Sequence, residues 1–178
     1  MGTFDWCLKQ GEKGEKHKGL REIESDPLLA KKHILKARHN FETAIKNKKD
    51  ASDWSVSMYF YAAYHCLLAL LGQLGYESRN QECTFACIEH HITQGLALEK
   101  ELMAWIRKTS QQIEKDAKDL REEFQYGIEV RASTALLDAI EEKTKEFIYK
   151  TEVLLNELQK ENKTKKDFEK SAISQKFG

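Results

Sequence analysis

The longest uncharged stretch of the chain constrains its fold more than any other feature. No Asp, Glu, Lys or Arg occurs between Trp54 and Tyr76, a length that would cross a bilayer as a helix. However, serines, a histidine and a glutamine interrupt this stretch, and no basic cluster flanks it. A helix that is apolar on every side is typical of a protein core. We therefore predict a buried central helix here and no membrane span.

The rest of the chain favours an all-α fold around that helix. Only one proline and nine glycines occur in 178 residues, so long segments can stay helical. Apolar side chains recur at helical spacing in four long segments and one short segment. The predicted long helices span 27–48, 53–74, 98–126 and 133–158, and the short helix spans 81–93. This pattern predicts one up-and-down helical bundle over residues 26–160. We expect a flexible arm at 1–25 and a polar, disordered tail at 161–178.

Charge and the N-terminal sequence limit the functional classes. The chain has 29 basic and 29 acidic side chains, so it has no overall electrostatic attraction for nucleic acid or membrane, although a local basic patch stays open. The four cysteines form neither a CxxC pair nor the framework of a small secreted domain. The N-terminus lacks the apolar segment of a secretory signal. These features predict a cytoplasmic protein.

One group of metal-ligating residue types occurs on the short predicted helix. Cys83, Cys87 and His91 share a helical face, so they are weak candidates for a metal site. Structural zinc sites normally draw four ligands from two elements, and this helix offers only one element. We therefore expect the cysteines to be buried as small apolar side chains, with no metal and no cofactor.

Two stretches together resemble the HEPN superfamily of small all-α prokaryotic proteins. The first is SVSMYFYAAYHCLLALLGQLGYESR, with its run of tyrosines and alanines leading into leucines and a glycine. The second is LREEFQYG, followed by LLDAIEEKTKEFIYKTEVLL. The resemblance covers roughly residues 28–158. It implies a HEPN-like helical bundle that forms a homodimer and acts on RNA, in some members as a toxin paired with a nucleotidyltransferase-type antitoxin.

The resemblance also implies a position for the functional site. Many HEPN ribonucleases carry an arginine followed five residues later by a histidine, near the end of a long helix. Arg121 matches the arginine, but Tyr126 stands in the place of the histidine. A related subgroup ends this motif in Ala-Asp-Tyr, and Gln125 replaces its aspartate. Arg121, Gln125 and Tyr126 are therefore the candidate ligand-binding residues, and Arg121 and Tyr126 are the candidate catalytic pair.

The chemistry of this candidate site favours binding over cleavage. RNA cleavage needs a group that exchanges protons near neutrality, whereas the pKa of tyrosine is about 10. Arg121 could hold a phosphate, but residues 114–123 carry five acidic and three basic side chains, which repel an RNA backbone. The same residues would also suit the last turn of an ordinary helix. His65 could supply the missing proton chemistry, although a histidine in an apolar helix is more often a satisfied core residue.

These arguments lead to one hypothesis and two alternatives. The chain is predicted to be a HEPN-like binding module for RNA or nucleotide, with weakened or absent nuclease activity. The first alternative is a metal-independent endoribonuclease toxin that uses Arg121 with Tyr126 or His65. The second is a scaffold that binds a nucleotidyltransferase partner.

Overall fold

A computed structural model describes the backbone of residues 3–14, 18–109 and 133–176, and the side chains through Thr164. Over these residues the chain is helical apart from one two-stranded ribbon, which confirms the predicted all-α class. The helices are α1 Phe4–Gly11, α2 Pro27–Asn47, α3 Ser52–Leu74, α4 Gln81–Thr93, α5 over residues 100–109, and α6 Thr134–Lys176. The strands are β1 Leu20–Glu22 and β2 Tyr76–Ser78.

Helices α2, α3 and α4 begin and end close to their predicted bounds, because their caps are local. The Asp26 carboxylate accepts a hydrogen bond from the Leu29 backbone N–H at 2.9 Å, and Pro27 occupies the first turn of α2. Gly75 ends α3 with a φ of 86°, a conformation that suits a residue without a Cβ. The Asn80 side chain caps α4 by accepting from the Cys83 N–H at 3.1 Å.

Helix α3 is the centre of the core, as predicted. It packs against α2, α4 and α6. Three alanines of α2, spaced seven residues apart, are buried and keep the backbones of α2 and α3 close: Ala30, Ala37 and Ala44. Within the described part of the chain, α3 is the one helix long and apolar enough to span a bilayer. Its apolar window is 61% buried inside the protein, as in the core helix of a globular domain.

Helix α6 closes the other side of the core and is joined to α2 by ion pairs. Arg38 donates two hydrogen bonds to the Glu152 carboxylate, at 2.7 and 2.8 Å. Lys48, just after α2, lies 2.6 Å from Glu141, which also accepts from the buried Tyr59 hydroxyl. The helix continues through Lys176, so the predicted helix end at residue 158 is wrong. The disordered tail at 161–178 stays a prediction.

One helix and one strand form within residues 1–25, the segment for which the sequence predicts a flexible arm. Strand β1 pairs antiparallel with β2, with Leu20 opposite Ser78 and Glu22 opposite Tyr76. Helix α1 lies directly against β1: a Cβ on Gly11 would come within 1.8 Å of the Leu20 carbonyl oxygen. These partners are distant in sequence, and local patterns do not reveal such contacts. We call α1 and β1 the N-terminal cap.

A disulfide that the cysteine pattern did not predict fastens the cap to the bundle. Cys7 on α1 is bonded to Cys83 on α4, across 76 residues of sequence. Both residues are fully buried. The expectation that Cys83 is a free, small apolar side chain is therefore wrong, because its sulfur is covalently paired. Cys66 and Cys87 are free and buried, as expected.

Candidate functional site

The residues that the HEPN resemblance proposed as a site lie outside the described part of the chain. Arg121, Gln125 and Tyr126 all fall within residues 110–132. Of the candidate catalytic residues, the structure therefore describes His65. Its surroundings form the candidate site, which lies along the boundary between α2 and α3.

His65 is paired with a second histidine. The Nδ1 atoms of His65 on α3 and His33 on α2 lie 3.0 Å apart, and the two rings are loosely stacked with centroids 5.2 Å apart. Both side chains are half-buried, at the open edge of the contact between the two helices. The expected partner of His65 was a tyrosine or a backbone group. The observed partner is the titratable ring of His33. The two rings together can donate and accept hydrogen bonds to a ligand, which an isolated core histidine cannot do.

The hydrogen bond between the two rings fixes complementary tautomers. One Nδ1 must carry the proton and the other must accept it. In the neutral pair, the donating ring keeps a lone pair on its Nε2, whereas the accepting ring carries a proton on its Nε2. The pair thus combines one basic nitrogen with one N–H donor. If both rings were protonated, two N–H groups would face each other and the bond would be lost.

The surroundings of the pair keep both rings neutral near pH 7. Burial lowers the pKa of His33. The pKa of His65 is lowered to about 4, by burial first and then by the positive charges of His33 and Lys36. Lys36 follows His33 by three residues on α2 and is exposed. The site therefore offers uncharged donors and acceptors beside a fixed positive charge.

Helix α2 supplies a basic surface beside the pair. The helix contains five basic residues, Lys or Arg, and one acidic residue, so its net charge is +4 in a chain that is neutral overall. Lys32 and Lys36 are exposed, lie one turn apart, and flank His33 in sequence. The exposed His39 continues this side of the helix. This is the local basic patch that the balanced composition left open.

Helix α3 supplies exposed aromatic rings on the other side of the pair. Tyr61 lies one turn before His65 and is 51% exposed, and Trp54 lies two turns further back and is 65% exposed. Large aromatic side chains are rarely so open on a core helix. A strip of lysines, paired histidines and open rings can contact both the phosphates and the bases of a single-stranded nucleic acid.

The weak metal candidates on α4 do not form a metal site. Cys83 is held in the disulfide, so its thiolate is not available. Burial raises the pKa of the Cys87 thiol to about 12, which keeps it protonated. Across residues 3–14, 18–109 and 133–164, no group of three or more His, Cys, Asp or Glu side chains is placed to hold a metal ion.

A second histidine pair lies at the end of α4, under the N-terminal cap. The Phe4 ring is stacked on His90, with centroids 4.0 Å apart and planes 1° apart. The ring of Tyr76 lies 5.3 Å from that of His91, and the Nε2 of His91 is buried with no hydrogen-bond partner among the described residues. Burial and the neighbouring His90 lower the pKa of His91. This pair is packed among aromatic rings rather than open to a basic surface.

Sequence reasoning missed His33 as a functional residue because the helical period of α2 placed it on the inward stripe. The sequence feature that could have identified His33 is its position at the edge of the apolar stripe, with Lys32 directly before it and Lys36 three residues after it. Comparison with protein-family models finds no match for this chain, and comparison with curated proteins finds no similar protein. The functional argument therefore rests on the residues themselves.

Proposed function

We propose that this chain is a HEPN-like RNA-binding module that holds single-stranded RNA along the boundary between α2 and α3. The sequence resemblance supports the class of protein. The helices α2, α3 and α6 support the finer architecture of an up-and-down bundle with four long helices and one short helix. The site is supported by the residues around His33 and His65. The observation that carries the proposal is the hydrogen bond between these histidines beside the exposed lysines of α2.

Each part of this surface has a role in the proposed complex. Lys32 and Lys36 attract phosphates, because their ammonium groups are exposed and opposite in charge to the RNA backbone. Tyr61 offers an open ring on which a base can stack. The histidine pair offers one acceptor and one donor to a 2′-hydroxyl or a base edge, which would distinguish RNA from DNA.

The binding of a fluorescent single-stranded RNA, measured by anisotropy at several salt concentrations, tests the proposal. Lys36→Glu reverses the charge beside the histidine pair and should weaken binding by about tenfold or more, or about 1.4 kcal/mol. The slope of log K against log salt should become shallower by about 0.7 for each phosphate contact that is lost. Lys163→Glu is the matched control, since Lys163 is an exposed lysine on a different helix, α6.

Two results would reject this site. If wild-type protein binds no RNA at low salt, the binding module is wrong and the scaffold alternative stands. If Lys36→Glu and Lys163→Glu weaken binding equally, RNA is attracted by total charge and not by the α2 surface.

The complementary tautomers of the pair favour one second candidate, a metal-independent endoribonuclease. The unprotonated Nε2 of the pair can accept the proton of a 2′-hydroxyl, but the lowered pKa values of both rings make it a weak base, so cleavage should be slow. Incubation of RNA with the protein in EDTA, alongside His65→Ala and Arg121→Ala, tests this activity. Cleavage by wild type that either substitution abolishes would replace the binding-only hypothesis. In that case Arg121 or His65 carries the reaction, with Tyr126 as the partner that the HEPN resemblance implies.

The expected partners and compartment remain part of the proposal. A homodimer and a nucleotidyltransferase-type antitoxin follow from the HEPN resemblance, and a cytoplasmic location is proposed with them. Sedimentation of the purified chain measures the first. Co-purification with a nucleotidyltransferase encoded by an adjacent gene tests the second.

A further inference from the structure

Helix α1 of the N-terminal cap is joined to α4 by a covalent bond and by aromatic packing, and it lies closely against β1. Helix α1 has eight residues, too few to be stable on its own in water. It contacts β1 and α4. Apart from the Cys7–Cys83 disulfide, its attachment to α4 rests mainly on the Phe4 ring, which packs against His90 and His91. The disulfide is thus the strongest link between α1 and the rest of the protein.

We propose that the Cys7–Cys83 disulfide is a redox-controlled clasp that holds α1 over the end of α4, and that its reduction releases α1 and uncovers His90, His91 and Tyr76. In the reducing cytoplasm that the sequence predicts, protein disulfides are normally transient and serve catalysis or redox sensing. A bond that fixes a single short helix over an aromatic cluster suits such a role. This inference does not depend on the proposed RNA-binding function.

The reaction is a two-electron exchange with a dithiol. A thiolate of the dithiol attacks one sulfur of the Cys7–Cys83 bond and forms a mixed disulfide, and the other cysteine leaves as a thiolate that takes a proton. The second thiol of the reductant then displaces the remaining cysteine. The protein gains two thiols, and the dithiol becomes a disulfide. Because both cysteines are fully buried, α1 must open transiently before the attack.

Two neighbouring features limit what happens on reduction: Cys87 does not exchange with the disulfide, and β1 stays paired. Cys87 lies one helical turn after Cys83 but stays a protonated thiol in its buried position, so it does not attack the disulfide. The paired strands β1 and β2 hold residues 20–22 against the bundle by backbone hydrogen bonds. Reduction should therefore release α1 from α4, while β1 stays in place and Arg21 keeps its hydrogen bond to the Gly11 carbonyl oxygen.

Hydrogen exchange of the full chain, with and without dithiothreitol as the dithiol, tests the clasp. We expect two free thiols before reduction and four afterwards. Reduction should speed amide exchange in residues 4–11 by about tenfold or more beyond any change in α3, whose amides respond only to the loss of global stability. Cys7→Ala without reductant should reproduce the reduced pattern. Cys87→Ala, which removes a buried thiol on the same helix, should keep the response to dithiothreitol.

Three outcomes would overturn the proposal. Four free thiols in the protein purified without reductant would show that the bond does not form. Unchanged exchange in residues 4–11 after reduction would show that the bond does not hold α1. Equally faster exchange in α1 and α3 would show a structural staple for the whole fold and not a clasp for one helix.

Discussion

The two histidine pairs of this protein have opposite surroundings. His33 and His65 bond to each other at the open edge between α2 and α3, with lysines on one side and exposed rings on the other. His90 and His91 are packed between Phe4 and Tyr76 beneath the N-terminal cap. The rings are the same, but one pair has a polar partner and a charged surface, and the other has aromatic contacts.

This difference teaches which pair can bind a ligand in the folded, oxidised protein. A ring that is stacked at 4.0 Å on Phe4 has one face already occupied. The His33–His65 pair instead satisfies its inner nitrogens internally and lies beside groups that attract phosphates and bases. We assign ligand binding to the first pair and a packing role, controlled by the disulfide, to the second.

The largest expected effect concerns the disulfide beside the second pair. Cys7→Ala should lower the free energy of unfolding of the oxidised protein by roughly 2–5 kcal/mol, because the unfolded chain is no longer closed into a loop. Denaturant melts with and without reductant measure this, and the difference between variant and wild type should shrink in reductant. Cys87→Ala should change little between the two conditions. A Cys7→Ala cost that persists in full under reduction would assign it to packing and not to the bond.

The next largest effect concerns RNA binding at the exposed surface beside His33 and His65. Tyr61→Ala should weaken binding of single-stranded RNA by about 1–3 kcal/mol if a base stacks on the ring. Tyr149→Ala is the control, since Tyr149 is 67% exposed on α6. Anisotropy titrations measure both. Equal losses in the two variants would place the RNA elsewhere.

A smaller effect is expected where α1 meets the second pair. Phe4→Ala removes the ring that stacks on His90 and should cost about 1–2 kcal/mol of unfolding free energy. Trp6→Ala, on the same helix but 47% exposed, should cost less than about 0.5 kcal/mol. Urea melts compare them. If the two substitutions cost the same, the stack on His90 does not hold α1.

The last effect, which is absent at neutral pH, is a change in pH dependence caused by the first pair. His65 has a pKa of about 4 in the folded protein and about 6.5 when unfolded. Between these values the unfolded chain binds more protons, so this residue lowers stability as the pH falls from 6.5 to 4 and adds no further loss below 4. His65→Asn should flatten that part of the stability profile, whereas His39→Asn, at an exposed position on α2, should not. An unchanged slope in His65→Asn would contradict the burial of the pair.

The features that sequence predicted are those with local causes. Asp26, Pro27 and Gly75 mark the ends of α2 and α3 through contacts within a few residues, and the uncharged stretch of α3 identified the core. The misses depend on distant partners. Helix α1 and strand β1 fold because β1 meets β2 and Cys7 meets Cys83, and neither partner lies near in the sequence.

The candidate site likewise contains one residue that the sequence identified and one that it did not. His65 was a candidate because of its residue type in an apolar helix. Its partner His33 could not be predicted, because their contact depends on how two helices align across 32 residues of chain. A change in that alignment by one residue would turn His33 away from His65.

Nuclear magnetic resonance of the histidine side chains during titration with single-stranded RNA tests the central claim most directly. At pH 7 we predict neutral His33 and His65 in complementary tautomers, one with the proton on Nδ1 and one with it on Nε2. Added RNA should shift the signals of these two rings and leave those of His90 and His91 unchanged. Signals of His90 and His91 that move while His33 and His65 stay constant, or four histidines that all ignore saturating RNA, would contradict the account.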